Sequence, residues 1–262
     1  MEFKQVIGSR RSIRFYQPWR PVEREKIQAC LEAGRLASRA VNAPFAKAVV
    51  LYRDQLTEEQ RNSLKTPTTT AQLDLAPVWI IWHANLGAIT DTKLGATLKQ
   101  LIDVGALTPS HGWSYSYAEN VVWAQMLKPI NDDPNVLVPV VFAEASLAIC
   151  QSLLCAVDEG LGTQLTAVTA EAVKRIVKTP DTWVPIWAQL LGYPAESREA
   201  GGQRPREPFE EDFFEMEYGK PFRRDPKVVE ALEAVGMIRS AAPFPWRKDE
   251  VRALSRAFEL PE

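Results

Sequence analysis

Residues 136–157 read VLVPVVFAEASLAICQSLLCAV, an apolar run about as long as the ~20 residues that cross a bilayer as a helix. Such a run has two outcomes: a membrane span, or a helix buried in a protein interior or between subunits. Its own content favours burial. Glu144, Gln151 and Pro139 lie inside it, and Asp158–Glu159 follow directly. A carboxylate near the middle of a bilayer is costly, and the chain has no second run of this kind. The remaining sequence must therefore cover this helix. With 262 residues and 46% hydrophobic content, it can build one large domain or two small ones around it.

Charge and motif content remove several classes. A net charge of −2 argues against a duplex-binding protein, which is normally basic or carries a long basic stripe. Cys30, Cys150 and Cys155 form neither a disulfide framework nor a metal spacing, so reduced thiols and a cytoplasmic location are expected. The opening MEFKQVIGSRR has no apolar core of a secretory signal. Dinucleotide and P-loop glycine patterns, a Gly-x-Ser-x-Gly elbow and a His-Glu-x-x-His site are all missing. His83 and His111 have no evident metal partner; His83 reads as a strand-end residue.

Periodicity divides the rest. Residues 2–8 predict a short helix ending at Gly8, and 21–38 a longer one with Pro21 in its first turn. Strands are expected at 46–54, 76–84, 162–168 and 184–193, the second fully buried. Thr57 with Gln60 predicts a capped helix to Leu64, and Thr169 caps another to 178. Helices are expected near 91–104 and 117–128, with the aromatic loop TPSHGWSYSY between them. The apolar helix, 138–159, closes at Gly160, and the tail carries helices near 226–235 and 247–257. This order is not a regular strand–helix alternation, so the expected class is α+β rather than a doubly wound sheet.

What stands out chemically is positive charge near turns. Arg10, Arg11 and Ser12 follow the first helix, with Arg14 close behind. Arginine and serine together can fork onto a phosphate or carboxylate. Arg204 and Arg206 sit at i and i+2, which in an extended segment aims both the same way. The two pairs could clamp one dianion, or both could be solvated surface charge.

Five segments, in order, resemble the nitroreductase family of FMN-dependent NAD(P)H oxidoreductases. They are RRSIRFYQPWRPVEREKIQACLEAGRLAS, LASRAVNAPFAKAVVLY, APVWIIWHA, ASLAICQSLLCAVDEGLGTQLTA, and WAQLLGYPAESREAGGQRPREPFEEDFFEMEYG. Residues 86–135 and those after about 222 find no counterpart. The resemblance implies a nitroreductase-like domain over 1–222, with 86–135 a variable insertion, and a C-terminal helical extension over 223–262. It implies a mixed, mainly antiparallel sheet surrounded by helices in an intertwined homodimer. The apolar helix would then lie in core and interface, and the tail against the partner.

The resemblance also assigns residues. Arg10, Arg11 and Ser12 would take the phosphate and ribityl end of FMN, with Arg204 and Arg206 completing the clamp. Arg14 would approach the pyrimidine side of the ring. Asn42, in the loop with Ser38 and Arg39, would reach the ring from the other subunit, and the backbone at Gln164, Leu165 and Thr166 would face the flavin edge near N5. That loop departs from the family: Ser38–Arg39 replaces Pro-Ser, and Pro44-Phe45-Ala46 replaces Gln-Pro-Trp. Trp113, Tyr115 and Tyr117 either form a lid that stacks on planar substrates or pack on the surface and interface; Trp123 reads as core.

The implied activity is a ping-pong oxidoreductase. NADH or NADPH passes hydride through flavin N5 to an electron-poor small molecule: a nitroaromatic, quinone or activated alkene. A flavin-consuming or reductive-dehalogenase member of the same fold, and a non-catalytic flavin-binding protein, are the alternatives. No acid–base residue is required, and no nucleic acid, membrane or metal is expected.

Overall fold

Four strands make one sheet in the order β1-β2-β4-β3, with β1 at Ala46–Tyr52, β2 at Val78–Asn85, β3 at Gly162–Thr166 and β4 at Trp183–Gly192. The computed structural model describes residues 2–90 and 94–261. Every pair of named strands is antiparallel. Tyr52, Val78, Leu191 and Thr163 share one end of the sheet; Ala46, Ala84 and Val184 lie at the other. The mixed character comes from one added rung. Ser12 bridges Thr163 in parallel, and the Ile13 amide donates to the Thr163 carbonyl at 3.2 Å. All eight residues of β2 are buried, as its unbroken apolar run requires. His83 lies within β2 beside a bulge.

The helices, in chain order, begin with α1 (Phe3–Ser9), α2 (Arg24–Arg35), α3 (Glu58–Leu64) and α4 (Ala71–Leu75). Next come α5 (Leu94–Asp103) and α6 (Tyr115–Tyr117), which runs through π-helical turns at Ala118–Leu127 into α7 (Lys128–Asp132). After α8 (Pro134–Asp158) and α9 (Ala170–Val177) follow α10 (Phe209–Asp212), α11 (Pro226–Ala234) and α12 (Arg247–Ala257). Residues 91–93 of the helix expected at 91–104 lie outside the described residues. The Thr57–Gln60 capping box forms in both directions, at 3.2 and 2.9 Å. Thr169 holds the expected cap position, but its hydroxyl donates to the Lys65 carbonyl at 3.0 Å and ties α9 to the end of α3 instead.

The apolar run is a core helix. Along α8, Leu137, Val141, Ala145, Ala148, Ser152 and Ala156 form a buried stripe at three- and four-residue spacing. Within the sheet, Gln189 anchors it: Ser152 Oγ and Trp82 Nε1 both donate to its amide oxygen at 2.9 Å. Length and composition would let α8 cross a membrane, yet 44% of its most apolar window is buried within this one chain. Its other face, with Leu147 47% exposed and Cys150 open, is uncovered. At its end Gly160 turns left-handed at φ +75°. There the Leu161 amide reaches back to the Ala156 carbonyl at 2.9 Å and starts the chain into β3.

Over residues 236–260 the tail packs on its own chain. Gln203 donates to the Ser240 carbonyl at 3.0 Å, and the Ala242 amide to Gln203 at 2.8 Å. Phe258 stacks on Phe15 at 6.3 Å. Gly8 lies so close beneath Gly236 and Met237 that a side-chain carbon there would sit 1.9 Å from the Gly236 oxygen.

Candidate functional site

Residues 10–14 run extended along the outer edge of β3, where side chains alternate. Arg11 and Ile13 point inward and are buried, while Arg10, Ser12 and Arg14 share the outer face. That alternation decides the roles. Arg11 donates to the Gly8 carbonyl (2.7 Å), the Arg10 carbonyl (2.9 Å), the Glu199 carbonyl (3.2 Å) and the Glu199 carboxylate (3.2 Å). Most of its donors therefore hold the end of α1 to the 194–202 loop.

Arg10 and Ser12 open into a cavity of about 520 Å3 that Arg204 and Arg206 also line, with Arg11 in its wall. The convergence expected from two distant segments therefore forms. Among the described residues, no Asp or Glu lines this cavity. Burial, together with the nearby Arg206 and Arg204 guanidiniums, lowers the pKa of Arg10 below the ordinary arginine value. Arg204 is lowered by burial and then by Arg14 and Arg247. Its own guanidinium donates to the Gly202 and Ala200 carbonyls at 3.1 and 3.0 Å, which fixes its direction. Clustered cations of this kind are relieved by an anion.

Arg14 is exposed and outside the cavity lining, near enough for its charge to act on Arg204, with its guanidinium on the Ser12 carbonyl at 3.1 Å. Its backbone is held by Glu196, a buried carboxylate that accepts from the Arg14 and Phe15 amides and pairs with Arg247 of α12. Beyond Thr163 the outer edge of β3 carries Gln164, Leu165 and Thr166. Gln164 and Thr166 are buried, and the Thr166 hydroxyl is taken by Thr69 at 2.7 Å.

Ser38, Arg39 and Asn42 do not join this cavity within one chain. Their loop leads into the start of β1, at the sheet end opposite Thr163. Glu144, the carboxylate inside the apolar run, accepts the Ala40 amide there at 2.9 Å. Arg39 turns back to the Arg35 carbonyl. Val41 and Asn42 both take positive φ, +50° and +57°; for a β-branched valine that is strained backbone. Helix α5 packs against this turn. Trp113 and Tyr117 meet edge-on at 5.3 Å, and the Tyr115 hydroxyl donates to Asp103 of α5. Trp123 packs in the adjoining core. The aromatic segment thus stands with Asn42, away from the arginines.

Sequence reasoning missed Glu196, Arg224, Arg239 and Arg247. Glu196 lay in a segment quoted for the resemblance without a role; the other three lie in the stretch with no counterpart. Neither histidine joins this cavity: His83 is buried within β2, and His111 bonds Thr108 at 3.0 Å. Among the described residues no group of His, Cys, Asp or Glu is placed to hold a metal.

Comparison with family models gives the nitroreductase family over residues 7–193. The chain belongs to the nitroreductase family. Solved structures share the nitroreductase fold at low identity. A protein of Exiguobacterium sibiricum, assigned as a nitroreductase and solved in complex with FMN, aligns with a TM-score of 0.63 and 20% identity over 79% of this chain and 94% of its own. A nitroreductase-like protein of Streptococcus mutans gives 0.63 and 17% over 81% and 96%. A Staphylococcus epidermidis protein, assigned as an NAD(P)H:FMN oxidoreductase, gives 0.59 and 19% over 74% and 88%. Comparison with curated proteins gives no match.

Proposed function

We propose that this nitroreductase-family protein is a flavin-dependent oxidoreductase that takes hydride from NADH or NADPH and delivers it to an electron-poor small molecule. The observation that carries this reading is the cavity where Arg10, Ser12, Arg204 and Arg206 converge with no carboxylate among them. Its donor set fits the phosphate of FMN: fixed guanidiniums and a hydroxyl, partly desolvated, where charge-assisted hydrogen bonds are strong. Bound FMN supplies the two-electron chemistry that no side chain here can provide.

The protein's own part is to hold and orient. Arg14, its backbone held by Glu196, would put a permanent positive charge beside the pyrimidine side of a bound flavin. That cation favours the reduced cofactor and keeps its proton throughout. The β3 edge from Gln164 to Thr166 would flank the ring. Asn42, Ser38 and Arg39, with Trp113, Tyr115 and Tyr117 nearby, would come from a second copy, which is why they sit at the other end of the sheet. The uncovered apolar face of α8 would be the dimer interface. Free thiols at Cys30, Cys150 and Cys155 suit a reducing cytoplasm.

The test is direct. Full-length protein should purify yellow, release FMN on denaturation, and oxidise NADH or NADPH in the presence of a quinone or nitroaromatic. A colourless protein that ignores added FMN would overturn the reading.

A further inference from the structure

The arginine cavity is larger and more positive than one phosphate explains. About 520 Å3 lies in the ~300–1,000 Å3 range of sites for whole small molecules. The lining from Gln203 onward lies beyond the family match, and one wall of it comes from the C-terminal segment: Arg224 and Arg239, with Ile238 and Ala241. Arg239 shares the Glu199 carboxylate with Arg11, at 2.7 and 3.2 Å, so one acid serves two guanidiniums. Arg224 meets Glu210 only at 3.9 Å. These two carboxylates cannot neutralise the six arginines of the cavity, and a phosphate monoester adds about two negative charges at most. About two positive charges therefore remain in the cavity, and on the C-terminal side Arg224 is met only at 3.9 Å while Arg239 has half a share of one carboxylate.

We infer that Arg224 and Arg239 form a second phosphoryl subsite beside that of Arg10, Arg204 and Arg206. This rests on the flavin reading of the cavity. The second phosphoryl group has two chemical sources: the ribose phosphate of a nicotinamide dinucleotide, or the adenylyl phosphate of a dinucleotide flavin. Both would enter from the open side and meet guanidiniums suited to forked, charge-assisted bonding.

Two pairs of ligands distinguish the sources. Apoprotein is titrated with FMN and with FAD by flavin fluorescence; FMN-loaded protein is titrated calorimetrically with NADP+ and with NAD+. The expected result is a preference of about ten-fold or more for the member with the extra phosphoryl group, in at least one pair. Arg224→Ala and Arg239→Ala should each shrink that preference several-fold, and added salt should weaken it. The two side chains are 46% and 36% exposed, so truncation empties no core. Equal affinities within both pairs would overturn the inference, as would a preference that neither substitution alters. FMN failing to bind at all would instead sink the flavin reading, so the two failures are separable.

Discussion

Arg10 and Arg11 are adjacent in sequence and opposite in duty. Arg11→Ala should cost about 3 kcal/mol, because it strands the buried end of α1 and leaves Glu199 to Arg239 alone. Arg10→Ala removes a cation crowded by Arg206 and Arg204. It should leave stability near the parent's and weaken FMN binding roughly ten- to hundred-fold. Thermal unfolding without flavin and fluorescence titration with it separate the two. The cluster was legible as charge, and Arg204–Arg206 as a same-facing pair. The division between Arg10 and Arg11 was not, because the segment read as a turn, and its alternation depends on β3 and Glu199, far along the chain. His83 carries a pH signature. Burial lowers its pKa below 6.5, so the unfolded chain binds a proton there that the folded chain refuses. Stability is full above that value and should fall with decreasing pH, by up to ~1.4 kcal/mol per pH unit. Urea unfolding between pH 5 and 7 should show this slope, and His83→Phe should flatten it.

Helices and strands were readable where their signals are local. Thr57 with Gln60 located α3, alternating and continuous apolar runs located the strands, and both tail helices were expected within a residue or two of where they lie. Docking of the tail was not readable. It rests on backbone bonds, such as Gln203 to Ser240 and Phe244 to Gly201, and on ion pairs between residues far apart in the chain, Arg239 with Glu199 and Arg247 with Glu196, none of which leaves a local pattern. Gly8 marks that approach in the sequence, as do Gly201 and Gly202, which lie against Arg247 and Ala242. Gly8→Ala would drive a methyl into the Gly236 carbonyl, and both partners are backbone. Stability should drop by about 1–3 kcal/mol, and limited proteolysis should newly cut between α11 and α12. An unchanged digestion pattern would contradict this packing.

At the scale of the molecule, α8 divides its apolar surface between its own sheet and the outside. The sequence alone offered a membrane or an interior, and the fold answers for one face only. If a second copy covers the other, Leu147→Glu should yield a monomer in sedimentation, with flavin lost in step, while the sheet and its far-ultraviolet spectrum persist. A variant that stays dimeric would remove α8 from the interface. The separation of Arg204 from Asn42 across the sheet then has a genetic reading. Two inactive alleles, Arg204→Ala and Asn42→Ala, would rescue one another when co-expressed: each hybrid pairs one pocket carrying both lesions with one carrying neither, and turnover returns only in the mixed assemblies.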